Sequence, residues 1–374
     1  MCIVHHPRPD LVGRRVFLLP GEHLALGRGA QALGPDAMMD PRMSRRHARL
    51  VATEDALLIE DLGSRNGTLV DGHPVQRGRL RPGAVVGLGR VLLQTWRMPA
   101  DQAARGVSGG APTPPLIAES PAMRPVMDGI LAAAADRAPV LVVGEDGVGK
   151  SVVARAVHHA SRLDGPLVVL PVAALTDDQV HQALHGHVAD PRPTGALLRA
   201  DGGTLLLPRL DVARPLLFQV LREFLEDGLL KPVAGPTRPI TTRIITTSIR
   251  DPHAMARSGD LPDALYSLLR AHTVTVPRLR DRREDVLPLA RHLLTLHAGR
   301  PVVMDRLLAL LLVLHDWPGN ATELDGVVRR IAAEQGDAPA FHLPPWGPEV
   351  FGPRAQEIVS TYDPAQLEAR WAST

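Results

Sequence analysis

Cysteine is nearly absent from this sequence: Cys2 is the only one in 374 residues. That excludes an intramolecular disulfide and fits a reducing compartment, so a cytoplasmic location is expected. Aromatic residues make up only 3%, which leaves the cores to Leu, Val, Ala and Ile. Lysine is almost missing too, with Lys150 and Lys231 the only two among 42 Lys and Arg. Such heavy arginine usage suits phosphate contacts and would equally follow from codon bias. A formal net charge of +2 is too small to argue for nucleic acid. No apolar run is long enough to span a membrane; the most apolar stretch, Leu307–Trp317, carries His315 and Asp316 and is predicted to be a buried helix. The opening residues lack the apolar segment of a secretory signal, and no repeat at a fixed period is evident. What remains, 45% hydrophobic and 22% charged, is ordinary for a soluble globular chain of two or three domains.

Up to about Arg97 the text alternates short apolar runs (VFLL, LAL, HARLVA, ALLIED, VVGLG, VLLQTW) with Gly, Asp and Pro turns. Frequent short strands of that kind predict an all-β sandwich. Residues 99–115 are rich in Gly, Pro and small side chains without periodicity, the composition of a flexible linker. From Leu116 the texture changes. Apolar strand-like runs (PVLVVG, PLVVLPV, GTLLLP, TRIITTS) alternate with helical patterns, which predicts a parallel α/β sheet. After Pro277 the pattern is helical throughout, and a Pro-rich, briefly helical tail follows from Pro339. The expected division is 1–98, 99–115, 116–276, 277–338 and 339–374.

In the first module three groups lie at strand ends or turns: Gly27-Arg28, Ser44-Arg45-Arg46-His47 and Ser64-Arg65-Asn66-Gly67-Thr68. Arg28, Arg45 and Arg65 offer planar donor forks, Ser44 a hydroxyl and Asn66 an amide. A phosphate dianion needs that mixture of charge and directed donors, each charge-assisted hydrogen bond contributing roughly 1.5–3 kcal/mol. The order of these groups, closed by LRPGAVVGLG at Leu80–Gly89, resembles the forkhead-associated (FHA) domain over about residues 13–97. The resemblance implies that Arg28, Ser44 and Arg45 contact the phosphate of a phosphothreonine protein modified by a Ser/Thr kinase. It also implies that Asn66 grips the peptide backbone and that His47 braces the loop. Arg65 is included as a further phosphopeptide-binding candidate.

In the second module Gly144-Glu145-Asp146-Gly147-Val148-Gly149-Lys150-Ser151 fits the phosphate-binding loop G-x-x-x-x-G-K-[ST], between a strand and a helix. Gly144, Gly147 and Gly149 let backbone N–H groups wrap phosphates, Lys150 would reach the β- and γ-phosphates, and Ser151 would hold Mg²⁺. ATP or ADP with Mg²⁺ is therefore the expected cofactor. The surrounding text from Leu116 to Ala333 resembles the AAA+ domain of sigma-54 enhancer-binding proteins: GEDGVGKSVVARAVHHAS, ADGGTLLLPRLD, RIITTSIRD, VPRLRDRREDVLPLARHLL and WPGNATELDGVVRR.

Departures from that family fall where the chemistry is done. Its paired Asp-Glu, which hold Mg²⁺ and prepare the attacking water, align with Pro208 and Arg209. The sensor I Asn aligns with Ile249, the two finger arginines with Pro262 and Leu268, and the sensor II Arg with Thr322. The sigma-54-contacting loop is shortened after His187, and no helix-turn-helix is expected in the tail from Pro339. The predicted architecture is an FHA sandwich joined to a P-loop AAA+ domain with a helical lid. The predicted function is a phosphothreonine-reading regulator that binds ATP without hydrolysing it and has no catalytic residues. Related AAA+ activators or sigma-54 RNA polymerase are candidate partners; no direct DNA or membrane contact is expected. The competing expectation is an active, FHA-controlled sigma-54 activator ATPase. His5-His6, His158-His159 and His185-x-His187 lack Cys or carboxylate partners at metal spacing, so structural zinc is not expected.

Overall fold

The computed structural model describes residues 1–31, 33–98, 116–186, 195–232 and 236–361. The linker and the shortened loop singled out in the sequence fall outside these residues. So does the end of the tail. The chain divides into two compact units: 1–109 with 283–318 and 323–374, and 110–282 with 319–322.

Nine strands open the first unit: β1 (Cys2–His5), β2 (His23–Leu26), β3 (Ala48–Ala52), β4 (Leu57–Asp61), β5 (Thr68–Val70), β6 (His73–Val75), β7 (Arg77–Leu80), β8 (Val85–Leu88) and β9 (Val91–Gln94). They form two antiparallel sheets, β1-β9-β8-β5-β6 and β2-β3-β4-β7. Strand β3 shows why: Ala48, Leu50 and Ala52 are buried while Arg49 is exposed, the period-two pattern that one buried face demands. Ile3, Leu26, Leu50, Ile59, Leu88 and Leu93 from both sheets meet in one core. The VFLL run predicted as a strand is not one. Val16 exchanges hydrogen bonds with Met1, but Phe17 and Leu19 are exposed. Instead β1, which has no alternating pattern, fills the position beside β9.

The second unit contains α1 (Arg124–Ala134), β10 (Val140–Val143), α2 (Lys150–Ala160), β11 (Leu167–Val169), α3 (Asp177–His185), α4 (Ala196–Arg199), β12 (Thr204–Leu207), α5 (Pro215–Asp227), the short pair β13 (Leu229–Leu230) and β14 (Arg238–Pro239), β15 (Arg243–Ser248), α6 (Pro252–Ser258), α7 (Asp263–Leu269) and β16 (His272–Thr275). The main sheet runs β11-β12-β15-β10-β16, and each adjacent pair is parallel. Every residue of β12 and β15 is buried. That follows when helices cover both faces, and it explains why those strands read as continuous rather than alternating apolar runs.

The helices α8 (Val286–Ala298), α9 (Arg306–Leu314), α10 (Asn320–Gln335), α11 (Gly347–Val350) and α12 (Pro353–Thr361) follow. Except for the first turn of α10, they belong to the same compact unit as the β sandwich. Helix α9 starts where the Asp305 carboxylate caps the Leu308 N–H at 2.7 Å. As predicted, it is buried from Leu308 through Leu314. Beyond it Trp317, fully buried, donates to the Leu312 carbonyl at 2.8 Å. Arg354 of α12 pairs with Asp71, in the turn after β5, at 3.4 Å. None of the described helices is long and apolar enough to cross a membrane.

Candidate functional sites

The β2–β3 and β4–β5 loops bring the arginine, serine and asparagine candidates to one end of the sandwich. His47 holds them there. Its buried ring accepts the Ser44 N–H at Nδ1 (3.1 Å), and Nε2 lies 3.0 Å from the Gly67 carbonyl oxygen. With Nδ1 accepting, the proton sits on Nε2 and the ring is neutral. Burial pushes its pKa below the ordinary histidine value, consistent with that state. The Ser44 hydroxyl in turn accepts the Arg65 N–H at 3.1 Å, and Asn66 donates from Nδ2 to the Arg42 carbonyl at 2.6 Å. Asp61 ties down the second loop, accepting from the hydroxyls of Ser64 and Thr68 at 2.6 Å each. Burial pushes its carboxyl pKa up, and these hydrogen bonds more than offset that.

Arg28 is positioned through its backbone, whose N–H donates to the Ser44 carbonyl at 2.9 Å. The preceding Gly27 is there for space. A Cβ at that position would stand 2.2 Å from the Arg45 carbonyl oxygen, so the two loops can approach only over a glycine. Arg28 is half-buried, whereas Arg45, Arg65 and Asn66 are exposed. The result is a preformed basic end with exposed or half-buried guanidinium groups and a Ser44 hydroxyl held by the Arg65 N–H. His47 and Asp61 are the supports for this end, and the geometry gives each its role.

In the second unit the loop after β10 leads into α2. Gly144, Gly147 and Gly149 all have positive φ, at 158°, 73° and 100°. A side chain on Gly147 would meet the Gly319 carbonyl oxygen at 2.3 Å and the Thr322 hydroxyl at 3.0 Å. The Lys150 ammonium, buried, donates to the carbonyls of Gly144 (2.9 Å) and Glu145 (2.7 Å). Burial lowers its pKa from the ordinary lysine value. Ser151, in the first turn of α2, is exposed.

A second set of residues, not singled out in the sequence, fixes this loop. Asn320, buried and at φ 54°, donates to the Glu145 carboxylate (3.2 Å) and the Asp146 carbonyl (2.9 Å), and it accepts the Leu279 N–H at 2.9 Å. Arg278 and Arg280 pair with Glu145 at 3.0 and 3.2 Å. The Asn320 hydrogen bond, joined by those two charges, holds the Glu145 carboxyl below its usual pKa. Arg282, buried, donates to the Val148 carbonyl at 2.6 Å. The WPGN and RLRDRRED segments carry these residues, but nothing in either text points to the loop 130 residues and more upstream.

Two strands from the loop, Pro208 and Arg209 follow β12 at its carboxyl end. Arg209 has a left-handed backbone, φ 64° and ψ 51°. Ile249 directly follows β15, Pro262 precedes α7 and Leu268 lies within it.

These features coincide with known families. Residues 11–89 match the FHA domain, 116–275 the Sigma-54 interaction domain and 280–344 the AAA+ ATPase lid domain. The chain is an FHA domain followed by a sigma-54 interaction domain and an AAA+ lid. Among curated proteins it is 37% identical over 232 residues to the transcriptional regulatory protein ZraR of Klebsiella oxytoca, covering 58% of this chain and 51% of that one. It is 33% identical over 233 residues to the Nif-specific regulatory protein of Azotobacter vinelandii, covering 59% and 45%. The chain thus spans about half the length of the curated relatives it matches. Among solved structures it resembles NtrX from Brucella abortus in complex with ATP, at 28% identity and a TM-score of 0.56, covering 66% of this chain and 55% of that one. The complex of the same protein with ADP gives 28% and 0.55, covering 60% and 52%.

Proposed function

We propose that this FHA–AAA+ chain is a cytoplasmic transcription-regulatory protein that docks on a phosphothreonine-containing partner and uses its AAA+ domain as a nucleotide-gated scaffold without ATP turnover. The observation that carries the reading is the Arg209–Asp211 ion pair at 3.1 Å, standing at the end of β12 where the family's Asp-Glu would hold Mg²⁺ and prepare water. Pro208 and Arg209 can do neither task. Pro262 and Leu268 cannot supply a finger to a neighbouring subunit, and Thr322 cannot act as a cationic sensor. Such groups act as a unit, so loss of one is enough to stop the chemistry.

Nucleotide retention is supported by the intact loop, by Lys150 within it, and by the ATP and ADP complexes of the NtrX relative. At the other end, Arg28, Ser44, Arg45, Arg65 and Asn66 would bind the phosphothreonine peptide. The partners then fall into two classes: a target of a Ser/Thr kinase, and either AAA+ activators or sigma-54 RNA polymerase. The test is a nucleotide titration of the full chain followed by a steady-state ATPase assay on the same sample. Binding without turnover is the expected result. Turnover near about one per second, an ordinary enzyme rate, would replace this reading with that of an active, FHA-controlled activator.

A further inference from the structure

The end of β12 is built to present a cation. The Arg209 N–H donates to the Thr247 hydroxyl of β15 at 3.1 Å, fixing the residue across the strand edge in its left-handed conformation. Its guanidinium is clamped by Asp211, with Nε 3.2 Å from one carboxylate oxygen and Nη2 3.1 Å from the same oxygen. The other oxygen of Asp211 accepts the Ile249 N–H at 3.1 Å. The clamp is asymmetric: the Asp211 side chain is 3% exposed and the Arg209 side chain 40%. The carboxylate is therefore the anchor, and the guanidinium is the group on offer.

Position gives that cation its meaning. Strand β15 lies between β12 and β10, and the Ser248 carbonyl beside Ile249 accepts the N–H of Gly144, the first residue of the phosphate loop, at 3.2 Å. Arg209, Asp211, Ile249 and the loop thus share the carboxyl edge of three adjacent parallel strands, the edge where open α/β sheets bind ligands. The Lys150 ammonium feels the Asp211 carboxylate and the Arg209 guanidinium as its nearby charges, together with Asp146.

The same residues do not fit Mg²⁺. That ion demands near-octahedral oxygen ligands and is usually held by one or two carboxylates beside the phosphates. Here the buried carboxylate at the strand end already engages Arg209 and the Ile249 N–H. A fixed guanidinium beside it repels a dication. Among the described residues no three His, Cys, Asp or Glu gather as a metal site.

We propose that Arg209 is a phosphate-binding residue of the nucleotide site, positioned by Asp211, and that the N–H donors of its guanidinium stand in for Mg²⁺ at the phosphate oxygens, so that nucleoside di- or triphosphate binds without a divalent cation. A planar guanidinium matches phosphate oxygens with paired donors. It also supplies no metal-bound water shell, so it favours holding the nucleotide over cleaving it. This inference rests on the reading that the loop still binds nucleotide.

The test is calorimetric titration of the full chain with ADP and with ATP, once in excess Mg²⁺ and once in excess EDTA. Affinities in the two buffers should agree within about threefold. The variant Arg209→Asn, whose side chain tolerates the left-handed backbone, should lose at least about tenfold in EDTA, measured below its own melting temperature because the buried Asp211 carboxylate loses its partner. Arg209→Lys, which keeps the charge, should lose less. Asp211→Glu should retain binding in EDTA and Asp211→Ala should lose it, a rescue that a merely structural role would not produce. Binding that EDTA abolishes would overturn the inference and leave the nucleotide-scaffold reading standing. Absence of binding in both buffers would overturn both. Full affinity of Arg209→Asn in EDTA would remove Arg209 from the site.

Discussion

Asn320 reaches back across 175 residues of sequence to donate to the Glu145 carboxylate at 3.2 Å. Its buried side chain bonds both to the phosphate loop and to the segment before the lid, through Asp146 and Leu279. Asn320→Ala should therefore cost about 2–4 kcal/mol, because it removes three hydrogen bonds, one of them to a charged group, and leaves polar partners unpaired. Alanine at φ 54° adds strain. Chemical denaturation of the variant checks the stability, and nucleotide titration should show weaker binding. An unchanged midpoint would show that Asn320 is not the fastening described.

Ser44 and Arg28 separate binding from folding. Neither Ser44 nor Arg28 is fully buried, so Arg28→Ala and Ser44→Ala should leave the melting temperature within a few degrees of the parent. Each should weaken binding of a phosphothreonine peptide by at least about tenfold, the equivalent of one lost charge-assisted hydrogen bond. Fluorescence anisotropy with phosphorylated and unphosphorylated peptide libraries measures the effect. Undiminished affinity in both variants would move the phosphate pocket elsewhere.

His47 should behave in the opposite way. Its ring joins Ser44 to Gly67 from a buried position. His47→Ala removes two hydrogen bonds and leaves a cavity, so a loss of about 2–4 kcal/mol is expected, together with loss of peptide binding. Gly27→Ala makes a related test, since its Cβ would sit 2.2 Å from the Arg45 carbonyl oxygen. The loops must part to admit it, at an expected cost of about 1–3 kcal/mol. Urea unfolding of both variants provides the comparison.

Stability should fall on mild acidification. Burial, reinforced by the charges of Arg291 and Arg306, pushes the His5 pKa down from 6.5 to about 4. Between those values the unfolded chain binds the proton and the folded chain does not, so stability is complete above about 6.5 and declines as pH falls towards about 4. The shift corresponds to roughly 3 kcal/mol for His5. His185, also pushed down to about 4 by burial, acts in the same direction. Unfolding free energies between pH 7.5 and 5 should show the slope, and His5→Gln should reduce it. A flat profile would mean that His5 is accessible to protons in the folded state.

Much of the fold was legible because periodicity is a local property. The continuous apolar runs TLLL and RIITTS became the buried parallel strands β12 and β15, and the run around Leu308–Leu314 became a buried helix. VFLL misled for the converse reason. A strand needs a neighbour; Val16 has one exchange with Met1, and Leu19 bonds instead to Glu22, three residues on. Strand β1 was not legible because its pairing with β9 joins residues about 90 positions apart.

The sequence by itself determined which groups are present: a glycine loop ending in Lys150 and Ser151, an ordered set of Arg28, Ser44, Arg45, Arg65 and Asn66, and Pro208-Arg209 after the apolar run TLLL. Those are short motifs in a fixed order, and local text and order need no folding to read. Only the tertiary structure decided how the groups are held. It made His47 a neutral bridge, fastened Glu145 to Asn320, and set the Arg209 guanidinium on the buried Asp211 carboxylate beside the Ile249 N–H. Charge and hydrogen-bond direction act through space. Their partners lie up to 175 residues away along the chain, and no local pattern encodes such a distance.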